Sequence, residues 1–276
     1  MPSPHLLTPQ VDVASRPAPG RESQDRYLVL PHAVAVLDGA TDPEEPYGRD
    51  GGWYARNLAE AFAPALAFEA DITGAVQEAI ATIASRHSLI PGRSPSSTLA
   101  IASWDDEQVQ AYVLGDSSLI AVHTDDTVTV LTDRRLQQIG VEHRQQYRQR
   151  LTDGHGYDDT HRALLRQLVH AEREHRNSDD GYWIAEAVPA AAHQGLTASW
   201  PRHLLRGLLS ATDGATAGIH YGQHADWVDA WRQVCSAGPA DFLARIEAAE
   251  QSDPDGRRWA RSKPSDDKTL AVVRFA

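Results

Sequence analysis

A chain of 276 residues, 41% hydrophobic and 23% charged, is long enough for a substantial core and has the composition of a soluble globular protein. Its formal charge of −12 argues against a nucleic-acid partner, which needs a basic face, and against docking on an anionic membrane. The single cysteine, Cys235, excludes an internal disulfide and thiolate metal sites. Residues 1–10 hold no apolar run of signal-peptide length and no run reaches membrane-spanning length, so the expected compartment is the cytoplasm.

Residues 1–9 read as a loose polar lead-in and 11–14 as a first strand. The polar cluster Arg21-Glu22-Ser23-Gln24-Asp25-Arg26 stands just before a strand at 27–30. The apolar, β-branched run 33–37 predicts a buried strand. It ends in Asp38-Gly39, which sets a carboxylate at the strand's mouth beside a residue free to take φ > 0. Asp-Gly between strands usually marks a hairpin, but Asp42-Pro43-Glu44-Glu45-Pro46 and Gly51-Gly52 follow instead. Tyr54, Leu58, Phe62 and Leu66 recur every fourth residue, a helix face capped by Asp50 that Pro64 should end or kink. A second helix carries Ile72, Val76, Ile80 and Ile83, capped by Asp71 and stopped near Pro91-Gly92.

The runs 98–102, 109–114, 119–123 and 128–131 are short and β-rich, and nothing between them could form a crossover helix. They predict an antiparallel meander. Segment 134–203 is rich in Gln, Arg and His, with one helical stretch around Leu164, Leu165, Leu168 and Val169. The run 204–211 then delivers Asp213-Gly214-Ala215-Thr216, a repeat of Asp38-Gly39-Ala40-Thr41. Two helical patterns follow, on Trp227, Val228, Trp231 and Val234, and on Phe242, Leu243 and Ile246 behind Pro239. A strong strand at 269–275 closes the chain. Helices segregated from antiparallel strands predict an α+β layered fold. The histidines at 143, 155, 161, 170, 175 and 193 fit no compact zinc set and read as surface or flap residues. The Trp227/Trp231 stripe reads as core, and Cys235 beside it as a buried small hydrophobe.

Asp25, Asp38, Asp116, Asp213 and the pair Asp266-Asp267 sit at strand ends or in turns beside strands. Any one of them alone is an ordinary turn former. Several closing apolar strands together would repel one another unless a cation neutralised them. Oxygen donors without cysteine favour hard cations, Mg²⁺ or Mn²⁺, and paired hard cations suit phosphoryl hydrolysis.

Here the sequence resembles a known family, the metal-dependent protein serine/threonine phosphatases of the PP2C type. The matching pieces occur in the family's order: Gln24-Asp25, Val36-Leu37-Asp38-Gly39, Ser97-Thr98, Leu114-Gly115-Asp116-Ser117, Ala211-Thr212-Asp213-Gly214 and Asp266-Asp267-Lys268-Thr269. The resemblance covers roughly residues 21–275. It implies one domain over 1–276, a four-layer α-β-β-α sandwich with a dinuclear site at one end of two antiparallel sheets. By the same resemblance Asp38 bridges both ions and the Gly39 carbonyl binds one. Asp213 and Asp266 complete the first ion, Asp25 and Gln24 hold ion-bound waters, and Asp116 joins Asp213 at a third ion. Asp267 takes a position where a neutral amide serves as well, so Asp267→Asn is expected to be nearly silent.

Three departures stand out. Ala40 replaces a histidine that some members carry as a general acid. Arg21 lies four residues before Asp25, where the family's phosphate-gripping arginine lies five before. Segment 134–203 fits the family poorly and takes the place of its variable flap. The expected activity is hydrolysis of phosphoserine or phosphothreonine on proteins by a metal-activated water. A phosphorylated small molecule as substrate, and a catalytically weak binding module, are the alternatives.

Overall fold

The computed structural model describes residues 8–41, 48–68 and 71–275. The lead-in at 1–7 and the turn at 42–47 lie outside them. In chain order the elements are β1 (Gln10–Arg16), β2 (Arg26–Leu30), β3 (Ala33–Gly39), α1 (Gly51–Phe68), α2 (Ile72–His87), β4 (Ser97–Trp104), β5 (Gln108–Leu114), β6 (Ser118–His123) and β7 (Val128–Thr132). Then come α3 (Val141–Thr152), α4 (Asp159–Glu174), β8 (Leu196–Pro201), β9 (Leu205–Ala211), α5 (Asp213–His220), α6 (Trp227–Ala237), α7 (Pro239–Gln251) and β10 (Lys268–Arg274).

The strands form two antiparallel sheets, β1-β10-β9-β6-β7 and β2-β3-β4-β5-β8. Strand alternation explains how they stack. In β3, Ala35 and Leu37 face α1 and α2, while Val34 and Val36 face the other sheet. In β10, Leu270 and Val272 face α6 and α7, while Ala271 and Val273 meet Val34 and Val36 in the middle layer. Strands covered on both faces must be apolar at every position, which is why 33–37 reads as an unbroken apolar run. The result is the four-layer α-β-β-α sandwich.

Asp50 and Asp71 cap as expected: Asp50 accepts from Trp53 N at 2.7 Å and Asp71 from Gly74 N at 3.0 Å. Pro239 opens α7. Other expectations need correcting. Pro64 does not stop α1, which runs on to Phe68. Pro64 is on the exposed side, where the freed carbonyl is open to solvent while Phe62 and Leu66 stay packed. The middle strands are not one meander. β4 pairs with β5, but β6 and β7 belong to the opposite sheet, and the chain changes sheets at Gly115-Asp116-Ser117. Cys235 is exposed, one position round the helix from buried Val234, while Trp231 is in the core and Trp227 at its edge. Segment 134–203 is not uniform either. Helices α3 and α4 share a small cluster of their own on Tyr147, Leu151 and Leu168, but β8 pairs with β5 as an edge strand. His161, at 1% exposure, is buried within that cluster and bonded through Nε2 to the Ser262 carbonyl at 2.8 Å. No helix among the described residues is long and apolar enough to cross a membrane.

Candidate active site

Antiparallel register brings the acidic strand ends together. Arg26 of β2 pairs with Leu37, so Asp25 stands beside the end of β3. Asp38 pairs with Thr98 at the start of β4, and Leu99 pairs with Leu114 at the end of β5. From there Asp116 crosses to β6, whose Ser118 pairs with Ala211 at the end of β9. Ala211 also pairs with Leu270, just beyond Asp266. Every one of these carboxylates therefore lies at the same end of the sandwich. Asp38 has the parity of Val34 and Val36, so its side chain closes the end of the middle layer.

Two glycines make the corner possible. Gly115, with φ of 84°, adopts a conformation that L side chains disfavour, and a Cβ there would stand 2.7 Å from Thr98 Cγ2. Gly39 does not take positive φ, contrary to expectation. What it provides is closeness, because a Cβ would sit 2.4 Å from the Gly51 carbonyl carbon at the start of α1. The second Asp-Gly differs in setting, since Asp213 is the first residue of a helix rather than part of a strand's end.

The charges feel one another strongly. The Asp38 carboxyl is raised well above the usual range, by loss of solvation and then by the charges of Asp25, Asp213 and Asp266. Asp25 is buried and pushed up to about 7 by that burial, against hydrogen bonds from Thr212 and Thr269, with Asp266 and Asp267 adding to the rise. Asp116 is pushed up to about 7 by loss of solvation and then by Asp213. Asp213 is exposed to solvent in the cleft, yet the protein around it and the charge of Asp266 raise it too, while Lys263 and a hydrogen bond with Asp38 oppose the rise.

Hydrogen bonds fix the cluster from behind. Thr212 Oγ1 donates to Asp25 Oδ2 at 2.9 Å and accepts from Thr269 N at 3.0 Å. Asp25 Oδ1 is buried without a partner among the described residues. Asp267 turns the opposite way from Asp266 and is a structural pin: Oδ1 accepts from Ala18 N at 2.7 Å and Oδ2 from Gln24 N at 2.9 Å. Against the expectation that an amide would serve equally at 267, both carboxylate oxygens accept backbone N–H groups, which a single amide oxygen cannot replace. Arg21 lies at the rim, with Nη2 3.2 Å from Asp267 Oδ2 and 3.5 Å from Asp266 Oδ1. A buried pair, Lys268–Glu250 at 2.6 Å, holds the loop that presents Asp266.

Sequence reasoning missed Lys263, Thr41, Thr212 and Glu172. Lys263 Nζ donates to Asp266 Oδ1 at 2.7 Å, and only its position three residues before Asp266 hinted at that. Glu172 approaches Asp116 from α4, paired with Arg144 of α3. Among the described residues no group of three His, Cys, Asp or Glu side chains is arranged, as it stands, to hold a metal ion. The donor chemistry nevertheless fits a hard divalent cation, with crowded carboxylates and an orphaned, buried Asp25 oxygen facing no protein donor.

No family sequence model and no curated protein matches the chain. Solved structures do. The serine/threonine phosphatase PstP/Ppp of Mycobacterium tuberculosis superposes with a TM-score of 0.58 at 14% identity, over 98% of this chain and 99% of that one. The catalytic domain of PstP in complex with two manganese ions gives 0.58 at 14% identity, over 97% and 98%. The PPM Ser-Thr phosphatase MsPP of Mycobacterium smegmatis, in complex with cacodylate, gives 0.55 at 18% identity, over 97% and 98%. The chain has the fold of the PPM-type serine/threonine phosphatases from end to end.

Proposed function

We propose that this protein is a divalent-metal-dependent phosphomonoester hydrolase that removes phosphate from serine or threonine of proteins in the cytoplasm. The observation that carries the reading is the convergence of Asp25, Asp38, Asp116, Asp213 and Asp266 from separate strand ends at one end of a fold shared with such phosphatases. Asp38, the Gly39 carbonyl, Asp213 and Asp266 would hold the Mn²⁺ or Mg²⁺ ions, with Asp38 the carboxylate most central to the set. Asp116, which interacts with Asp213, would serve a third ion. When bound, the ions supply Lewis acidity and a water acidic enough to act as nucleophile at neutral pH.

The chain's own residues prepare that chemistry. Thr212 holds Asp25 through Oδ2 and leaves the buried Oδ1 without a protein partner among the described residues. Asp267 ties the loop carrying Arg21, Gln24 and Asp25 to the start of β10, so the rim and the floor keep one geometry. Arg21, partly exposed, can swing from Asp266 to a substrate phosphate, for which its planar fork is suited. Ala40 offers no proton to the leaving alkoxide.

Hydrolysis of an aryl phosphate and of phosphoserine and phosphothreonine peptides, with and without added Mn²⁺ and with chelator, tests the proposal. Activity is expected only with metal, and Asp38→Ala should lower turnover by at least about 10³-fold, comparable to losing a principal electrostatic stabiliser. Chelator-resistant hydrolysis, or an active Asp38→Ala protein, would sink it. Asp116→Ala should keep the tightly bound ions, read by calorimetry, while turnover falls.

A further inference from the structure

One cation already lies among the carboxylates. Lys263 reaches in from the loop before β10, donating to Asp266 Oδ1 at 2.7 Å and to Thr41 Oγ1 at 3.1 Å. Thr41 in turn donates to Gln24 Oε1 at 2.9 Å, so the ammonium bridges the two loops that frame the cleft. It also interacts electrostatically with Asp213 and Asp38. Arg21 lies farther out and shares its contact with Asp267. Lys263 thus bonds Asp266 directly and lies within electrostatic reach of Asp213 and Asp38, the three side chains assigned to one ion of the proposed centre.

An ammonium and a divalent ion cannot occupy one carboxylate set at close range, because both compete for the same oxygens and repel each other. We propose that Lys263 is a built-in counter-ion that competes with the divalent metal for Asp38, Asp213 and Asp266. It holds the like-charged cluster together in the metal-free protein and must swing out when the ion enters. The side chain is 30% exposed, and its flexible stem gives the ammonium a route to water at the mouth of the cleft. Asp266 Oδ1 is already bonded to the lysine, so an ion can take that oxygen only by displacing the ammonium.

The inference rests on the metal-site reading above, and the test separates the two. Calorimetric titration with Mn²⁺ alone compares the full-length wild type with Lys263→Met, Lys263→Arg and Asp38→Ala, and each is also melted in chelator. Lys263→Met is expected to bind its tightest Mn²⁺ at least about tenfold more tightly than wild type, which is about 1.4 kcal/mol. Its chelated form should melt below the wild type. Lys263→Arg, which keeps the charge, should stay near wild type in both readouts. Lys263→Gln repeats the affinity measurement if the Met variant does not fold. Equal or weaker Mn²⁺ binding by the neutral variants, with the wild type binding normally, overturns the counter-ion role and leaves the metal site standing. If Mn²⁺ binds to neither wild type nor Lys263→Met, the metal-site reading falls and the inference with it.

Discussion

Successive side chains at the start of a strand point to opposite sides, and at 266 and 267 that alternation separates two carboxylates into different jobs. Asp266 looks into the cleft toward Lys263 and Arg21, whereas Asp267, at 2% exposure, looks back into the protein and takes two backbone N–H groups and the Arg21 guanidinium. An asparagine at 267 could satisfy only one of the two backbone donors with its oxygen, and its NH₂ would face the other. That leaves a buried donor unmet, so Asp267→Asn should cost about 1–3 kcal/mol, read as a lowered denaturant midpoint. Asp266→Asn should leave the midpoint of the metal-free protein closer to wild type and weaken Mn²⁺ binding instead. A Asp267→Asn protein as stable as wild type would show that the pin contributes nothing.

Between the elements, one buried network ties the segment after α4 to the rest of the molecule. Arg176 and Glu186, with side chains 8% and 1% exposed, pair at 3.2 Å. Glu186 also accepts from Gly92 N at 3.0 Å and Ser94 N at 3.2 Å, while Arg176 donates to the Ser94 carbonyl at 3.1 Å. Glu186→Ala strands the guanidinium and both N–H groups, and should cost about 3–5 kcal/mol in a chemical denaturation curve. Trimming α3 and α4 should behave differently, because their apolar cluster is separate from the sandwich layers. Phosphopeptide preference should change while aryl phosphate hydrolysis persists; parallel loss of both would mean that Arg144 and Glu172 help build the site. Strand 33–39 and its terminal Asp38 were legible because burial on two faces leaves an unbroken apolar signature that a polar residue ends. The change of sheet at Gly115 was not, since a three-residue corner looks the same in sequence whether it makes a hairpin or a crossing. Nor were Lys263 and the pin at Asp267, which depend on contacts between loops 222 or more residues apart in the chain.

Across the whole molecule, the acidic end and the helical layer over the other sheet should pull stability in opposite directions with pH. Burial pushes Asp25 and Asp116 up to about 7 in the folded metal-free protein, from 3.8 in the unfolded chain, so over that interval the folded state binds more protons. Their contribution is present at low pH and is lost as pH rises toward 7. His224 has the reverse sign. It is buried, stacked on Phe242 with ring centroids 4.3 Å apart, and neither ring nitrogen has a hydrogen-bond partner among the described residues. Burial lowers its pKa from 6.5, so the unfolded chain takes up the proton first and stability is lost as pH falls below that value. The two windows overlap below 6.5, where the His224 loss offsets part of what the carboxylates gain in the chelated protein as pH falls. Saturating Mn²⁺ should raise the melting temperature most at pH 7 and above, because the ion neutralises the carboxylates and binds only the folded state. His224→Phe should raise stability below pH 6.5 and leave it unchanged above 7. Melts from pH 5 to 9, with and without Mn²⁺, separate these contributions. A melting temperature at pH 7 and above that Mn²⁺ does not move would mean that the ion does not bind where the carboxylates repel one another.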